Sequence, residues 1–239
     1  MSDLTVANAA ELEAYEAKLQ KQQAQKPPAK YNQIKIGFDP MNPVIHGKYI
    51  RQREGDTEWE VIGDGFEGVI LASRHQYSFF SEKDKNENMF TEQFEDYSQP
   101  VRVTHDGINE QIKPISKWVK EKYPKKTDKE ATYAAITYVL YEGEVYLFRV
   151  KGAHCSDWIE YINELDEREL LFTAKTIFSH GQEKNGTVVY FPAEFERGAK
   201  LEAKEYQICL AKSWEVDKMI SALNAGGPKV EVVEPDFLK

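Results

Sequence analysis

The chain has 239 residues, of which 30% are charged and 41% are hydrophobic, and its formal net charge is −9. This length is sufficient for one large β domain or two small ones, and the acidic balance excludes a uniformly basic nucleic-acid-binding protein and argues against adhesion to anionic membranes. Two cysteines cannot form a disulfide framework, and no apolar run approaches the ~20 residues that span a bilayer. The first residues lack the features of a signal peptide, so we expect a cytoplasmic protein.

The first 30 residues predict a helical arm. Residues 4–26 consist largely of good helix formers, and Leu12, Tyr15 and Leu19 form one narrow apolar stripe. The proline pair at 27–28 ends this helix. Because such a helix is marginal alone, it fits a frayed arm better than an element that docks on a partner or on a second copy of the chain, and the second of these docking modes would give a homo-oligomer.

From residue 31 the pattern changes to the period of two that is typical of strands. The segments 59–62 and 66–71 flank the glycine-containing turn 63–65, and this predicts a hairpin because glycine adopts positive φ freely. The polar and acidic stretch 81–99 predicts a long exposed loop. A short strand is expected at 101–104.

The second half of the chain predicts further strands and helices. Strands are expected at 131–141, 145–150, 170–178, 187–195 and 205–211. Helices are expected at 114–123, at 157–165 and, capped by Ser213, at 213–223. The segment 113–130 holds seven lysines against three acidic residues and is the most basic stretch of the chain.

The helices do not alternate with the strands one for one, which disfavours a Rossmann or TIM-barrel topology. We expect an α+β, β-rich domain at residues 31–225, with an antiparallel, barrel-like arrangement of hairpins. The arm at 1–30 precedes this domain, and a flexible acidic tail at 226–239 follows it.

Compact catalytic motifs for nucleotide binding, metalloprotease or serine hydrolase chemistry are missing from the sequence. The five histidines are scattered, and none pairs with another at a metal-ligand spacing. The Glu202-Ala203-Lys204 triplet has a spacing found in some nucleases, but it also fits a solvated charged turn. We therefore expect a protein that is not an enzyme, with no catalytic residues, no metal and no cofactor.

Aromatic and basic residues alternate along several predicted strands. Single-strand-binding surfaces need this mixture, because flat rings stack on bases and cations follow the phosphates. The same pattern also fits a β-rich protein in which the strand aromatics are core and the neighbouring cations are solvated. The predicted nucleic-acid-binding residues are Arg74, Tyr77, Phe148, Arg149, Lys151, Trp158, Lys175, Phe178, Tyr190, Phe191 and Arg197.

The order of elements between residues 133 and 211 resembles that of single-stranded-DNA-binding proteins of phages and mobile elements. A hairpin at 138–150 is followed by Lys151-Gly152 and a helix with Trp158, and then by a long hairpin that carries a Tyr-Phe-Pro-x-x-Phe run at 190–195. The resemblance implies an OB-like barrel with added helices and loops. It also implies that single-stranded DNA crosses a groove of this barrel during replication or recombination.

The residues 232–238 are reminiscent of the acidic C-terminal tip of such proteins, which implies recruitment of replication or repair enzymes, although this chain ends in Lys239. Two alternatives stay open. The acidic charge, the helical arm and the polar 81–99 stretch also suit a protein–protein adaptor or structural component. The abundant carboxylates and the Glu202 triplet would suit a divalent-metal nuclease.

Overall fold

The computed structural model describes residues 29–81, 83–84, 87–152, 154–165 and 171–225. The predicted arm, apart from Ala29 and Lys30, and the predicted tail at 226–239 lie outside the described residues. The described helices are α1 (Ile115–Lys122), α2 (His154–Glu164) and α3 (Ala203–Asn224). The described strands are β1 (Gln33–Ile36), β2 (Tyr49–Gln52), β3 (Glu60–Gly63), β4 (Phe66–Phe79), β5 (Met89–Thr91), β6 (Val101–His105), β7 (Ile108–Ile112), β8 (Thr132–Tyr141), β9 (Glu144–Lys151), β10 (Ala174–His180), β11 (Glu183–Asn185), β12 (Val188–Tyr190) and β13 (Ala193–Lys200).

Eleven of these strands form one sheet. Its main path runs β3-β2-β1-β9-β8-β4-β5-β6-β7, while β10 pairs with β4 and β13 pairs with β10. Strands β11 and β12 form a separate small hairpin. The predicted α+β, β-rich class is confirmed, but the sheet is mixed rather than purely antiparallel, because β1 runs parallel to β9.

Strand β4 is the centre of the sheet. Its 14 residues pair with β10 at the start, with β8 through the middle and with β5 at the end. Gly68 is the point of closest approach, since a Cβ there would lie 2.6 Å from Cγ1 of Val139 and 3.1 Å from the carbonyl oxygen of Leu140. A side chain at this position would therefore push β8 away from β4.

Three apolar clusters cover the sheet, and each includes one helix. The first holds α2 against one face of the central strands, through Trp158 and Tyr161. The second holds α3 against the opposite face, through Cys209, Val216 and Ile220. The third packs α1 on the strands beyond β4; its buried members are Phe79, Met89, Phe94, Val101, Val103, Ile115, Val119 and Tyr123.

The β8–β9 hairpin, the strand at β6 and the helix at α1 confirm the sequence predictions for those segments. Helix α2 begins at His154, three residues before the predicted start. Strand β7 was not predicted, and it pairs with β6 across a turn in which Asp106 and Gly107 both have positive φ.

The predicted hairpin across residues 63–65 is wrong. Strand β3 pairs with β2, and β4 pairs with β8 and β10 instead. Gly65 instead allows β10 to approach closely, because a Cβ at this position would lie 2.6 Å from the carbonyl oxygen of Phe178 on β10. The turn is thus shaped by the close approach of a distant strand.

Two further predictions need correction. The expected strand at 205–211 is the first part of α3, and Ser213 is a buried mid-helix residue whose hydroxyl donates to the carbonyl oxygen of Leu210 at 2.9 Å. The expected exposed loop at 81–99 contains β5, and Met89 and Phe94 within it are buried. In the 81–99 segment, contacts with the sheet outweigh the local polar pattern.

The long hairpin predicted from 170–178 and 187–195 is only partly correct. Strand β10 does pair antiparallel with a later strand, but that strand is β13, and Phe178 lies opposite Phe195. The segment before β13 forms the small β11–β12 hairpin instead. Pro192 separates β12 from β13, which fits the lack of a backbone donor in proline.

Replacing Phe178 by alanine should strongly destabilise the fold. This ring is fully buried, stacks on Phe66 with centroids 4.4 Å apart and meets Phe148 edge-on at 5.5 Å. Loss of a buried phenylalanine costs about 3–5 kcal/mol, which urea unfolding would measure. The neighbouring Ile177 is 37% exposed, so Ile177→Ala is the control and should cost at most about 1 kcal/mol. Similar losses for the two variants would contradict the assigned core.

Candidate functional site

Three of the predicted aromatic residues lie inside the first core. The exposed fractions of Phe148, Trp158 and Phe178 are 3%, 1% and 0%. The indole Nε1 of Trp158 donates to Oγ of Ser73 at 3.2 Å. Because protein atoms already surround these rings, the expectation that they offer stacking surfaces for bases is wrong for this conformation.

Two other predicted aromatic residues support a neighbouring loop. Phe191 is half-buried and packs edge-on against His46, with centroids 5.0 Å apart, and against His180 at 5.4 Å. A Cβ at Gly47 would lie 2.6 Å from the Phe191 ring. Tyr190 is also half-buried, and its hydroxyl donates to the carboxylate of Glu183 across the small hairpin.

The predicted cations do not converge on one groove. Arg74 is held between Glu95 and Asp217, with N···O distances of 2.6 Å to each. Lys175 pairs with Glu67 at 3.2 Å. Arg197 is exposed on β13 and lies opposite Thr176, the neighbour of Lys175 on β10.

Arg149 and Lys151 lie on the half-buried face of β9. They alternate with the buried residues Phe148 and Val150, so their side chains leave the sheet on the side opposite to α2. Arg74 shares this face, because Arg74 and Arg149 both lie opposite Ile136 of β8. The structure thus brings two predicted arginines together, one of them already neutralised by two carboxylates.

The strongest exposed charge lies elsewhere, on α1 and the turns around it. We call this set of exposed side chains the lysine surface, and it consists of Lys113, Lys117, Lys120, Lys122, Lys125 and Lys126. Lys117 makes a loose ion pair with Glu121 at 3.9 Å, and both side chains are exposed, so the pair contributes little. Within the described ranges, the other five lysines have no carboxylate within ion-pair distance.

The third core fixes the lysine surface in place. Ile115 and Val119 bury one side of α1, which leaves the lysines of the other side in solvent. Trp118 is half-buried, 5.0 Å from the ring of His105 and 5.7 Å from that of Tyr123. Lys120 and Lys122 stand in the last turn of α1, where the helix dipole favours positive charge.

The lysine surface was not among the predicted site residues. Its signal was present in the sequence as the seven lysines of 113–130, but this segment lacks the alternation with aromatic residues that guided the prediction. Positive charge of this density on an acidic protein creates a local attractive field for polyanions, within about 8 Å at physiological salt.

A second feature is a half-buried cluster of rings at the far end of β4, which we call the aromatic cluster. The hydroxyl of Tyr133 and Nδ1 of His75 are 2.6 Å apart. The hydroxyl of Tyr97 interacts with those of Tyr77 and Tyr133. Phe94 completes the aromatic cluster, with its centroid 5.1 Å from that of Tyr97 and 5.6 Å from that of His75.

Burial determines the ionisation of the aromatic cluster. It raises the pKa of Tyr77 to about 12 and raises the pKa values of Tyr97 and Tyr133 as well. It also lowers the pKa of His75, and the nearby charge of Arg74 lowers that pKa further. The aromatic cluster is therefore uncharged at neutral pH, and the tautomer of the neutral His75 sets which partner donates in the hydrogen bond between its Nδ1 and the Tyr133 hydroxyl.

The remaining candidate for chemistry has a structural role. The carboxylate of Glu205 accepts the backbone N–H of Glu202 at 3.1 Å, which places the Glu202-Ala203-Lys204 triplet at the capped start of α3. Over the described ranges, no three or more histidine, cysteine, aspartate or glutamate side chains are grouped so that they could hold a metal ion.

Comparison of the chain with family models, with curated proteins and with solved structures finds no match. Among the described helices, none is long and apolar enough to cross a membrane.

The substitution Arg74→Gln should raise the pKa of His75 toward its ordinary value. It removes a positive charge beside the imidazole and leaves Glu95 and Asp217 without their partner. An NMR titration of the imidazole Cε1 proton measures the change. Lys175→Gln removes a cation far from His75 and is the control, which should leave that titration unchanged.

The sign for stability follows from the same shift. A histidine whose folded-state pKa is depressed contributes fully above its unfolded value of about 6.5, and this contribution is lost as the pH falls toward the folded-state value. Arg74→Gln should bring the folded-state pKa of His75 closer to 6.5 and so narrow the pH range over which this stability is lost. An unchanged or lower pKa of His75 in this variant would contradict the role given to Arg74.

Proposed function

We propose that this chain is a non-catalytic single-stranded-DNA-binding protein whose lysine surface holds the phosphates. The observation that carries the proposal is the set of five exposed lysines at positions 113–126 that have no carboxylate partner among the described residues, on a chain of net charge −9. A surface of this kind attracts a phosphate backbone electrostatically and needs no particular sequence.

An OB-like relationship of the core is part of the proposal. Strands β9, β8, β4, β10 and β13 form one hydrogen-bonded path in that order, and α2 lies between β9 and β10 in sequence. An OB-fold is a five-stranded, partly open barrel that binds oligonucleotides on its second and third strands and on the loops joining strands one to two and four to five. In chain order β4 corresponds to the first strand, and β8 and β9 correspond to the second and third.

Under this correspondence, the lysine surface lies in the connection between the first and second strands of the barrel. The connection between β4 and β8 comprises residues 80–131, and it carries α1 with the lysine surface. Arg149 and Lys151 are half-buried on β9, on the face that also carries Leu147 of the α3 core. The exposed lysine surface and these two half-buried cations thus lie on the elements through which an OB-like barrel contacts an oligonucleotide. The chain departs from a minimal OB-fold in that β9 pairs with β1.

The triple variant Lys120→Gln, Lys122→Gln and Lys125→Gln should weaken binding of the protein to an oligonucleotide of about 30 thymidines. Each phosphate contact that is lost should also reduce the slope of log Kobs against log salt by about 0.7. Fluorescence anisotropy over a range of salt concentrations measures both quantities.

The matched control makes the same charge change elsewhere, through Lys200→Gln, Lys204→Gln and Lys218→Gln, which are exposed on β13 and α3. It should have a much smaller effect on the affinity. Equal losses in the two triple variants would show that only net charge matters and would overturn the assigned site. The oligonucleotide should also stay intact with Mg²⁺ present, and its cleavage would favour a nuclease.

A second function has one observation in its favour. The segment between β1 and β2 exposes apolar side chains, with exposed fractions of 50% for Phe38, 90% for Met41 and 66% for Val44. Exposed apolar groups close together are typical of protein-binding surfaces. A protein–protein adaptor would capture one stable partner through this segment and would fail to bind the oligonucleotide even at low salt.

A further inference from the structure

The aromatic cluster has features that a purely structural core does not need. Tyr97 is 36% exposed, although its ring lies only 4.8 Å from that of His75. The rings of His75, Tyr77 and Tyr133 are half-buried rather than enclosed. The aromatic cluster therefore exposes part of Tyr97 to solvent at one edge of the cluster.

The rings are held rigidly before any ligand arrives. Strands β4 and β8 place Tyr77 directly opposite Tyr133, and the isolated bridge between His75 and Phe94 fixes the segment that carries Tyr97. Asp96 then accepts the backbone N–H of Ser98 at 2.7 Å, which holds a tight turn next to Tyr97. Binding to such an edge costs little ordering of side chains, which favours affinity.

The lysine surface begins beside this edge. Ile112 of β7 lies opposite Val101 at the start of β6, which places Lys113 beside the chain that enters β6 from the turn at Asp96. The charge of Lys113 also lowers the pKa of the Asp96 carboxyl, after the stronger effect of its hydrogen bonds to Ser98. Lys113 is exposed and precedes α1, while Asp96 precedes Tyr97 in the chain. A strand that follows the lysines toward residue 113 therefore comes close to the turn that carries Tyr97.

We infer that the aromatic cluster is a nucleobase subsite, in which one unpaired base of a bound strand stacks on the exposed ring of Tyr97 while its phosphates reach Lys113. This inference rests on the proposed function. Paired bases are stacked inside a duplex and cannot reach the ring, so the subsite would give the protein its preference for single strands. Stacking is tolerant of sequence because every base has a π-face.

The experiment compares two probes on the full chain, an oligonucleotide of about 30 thymidines and a strand of equal length made of abasic residues. Replacing Tyr97 by alanine should lower the affinity for the thymidine strand by about 5- to 100-fold, as expected for one lost base stack. The affinity for the abasic strand, which offers phosphates and no bases, should stay within about twofold. The slope against salt should not change for either probe.

Two variants control for folding and position. Tyr97→Phe keeps the ring and should bind the thymidine strand as the unaltered protein does. Tyr206→Ala removes a half-buried tyrosine from α3 and should have no such selective effect. Circular dichroism and urea unfolding check that each variant is folded.

The outcomes separate the inference from the proposed function. If the unaltered protein binds neither probe at low salt, the proposed function fails, and the subsite fails with it. If it binds with the expected dependence on the lysine surface but Tyr97→Ala behaves like the unaltered protein, only the subsite is overturned. Equal losses of Tyr97→Ala on both probes, or a loss in Tyr97→Phe as large as in Tyr97→Ala, would also overturn the subsite.

Discussion

Strand β4 is the constraint on which the rest of the structure depends, because 14 residues of one strand must satisfy three different pairing partners. Both of its faces are buried, one under α2 and the other under α3. Its far end passes beyond those two helices and pairs with β5. The third core, α1 and the lysine surface are built on this projecting end. The aromatic cluster lies at the same end, since His75 and Tyr77 belong to β4 and face Tyr133 of β8.

The sequence alone was sufficient to predict the elements that local residue patterns specify. The β8–β9 hairpin and α1 were predicted because each combines a clear apolar period with its own end signals. The prediction of a hairpin across 63–65 failed because Gly65 packs closely against Phe178 of β10, which lies more than a hundred residues further along the chain. The parallel pairing of β1 with β9 had no local signal either. The start of α3 was mistaken for a strand because a short apolar run fits both periods, and only the spacing of Cys209, Val216 and Ile220 over the full helix decides between them.

The candidate site shows the same division between local and distant information. Alternation correctly indicates that Phe148 and Arg149 occupy opposite faces of β9, but it does not say which face other elements cover. In the structure, other elements cover Phe148, Trp158 and Phe178, and all three side chains are buried. The position of positive charge was easier to predict. A cluster of lysines is visible in the sequence, and an exposed lysine is solvated without a protein partner. That five of these lysines have no carboxylate partner among the described residues is a property of the folded chain, and it was not predictable from composition.

Under the proposed function, the separation of charge within the molecule would affect how several copies share one strand of DNA. Lysines are concentrated on and around α1, whereas the chain as a whole is strongly acidic. Neighbouring copies on one strand would attract the DNA through α1 and repel each other through their acidic bodies. Added salt would weaken the first interaction and relieve the second. Added salt would therefore lower the affinity of one copy for DNA and also lower the repulsion between neighbouring copies. The number of copies bound per strand would then be highest at an intermediate salt concentration rather than at the lowest.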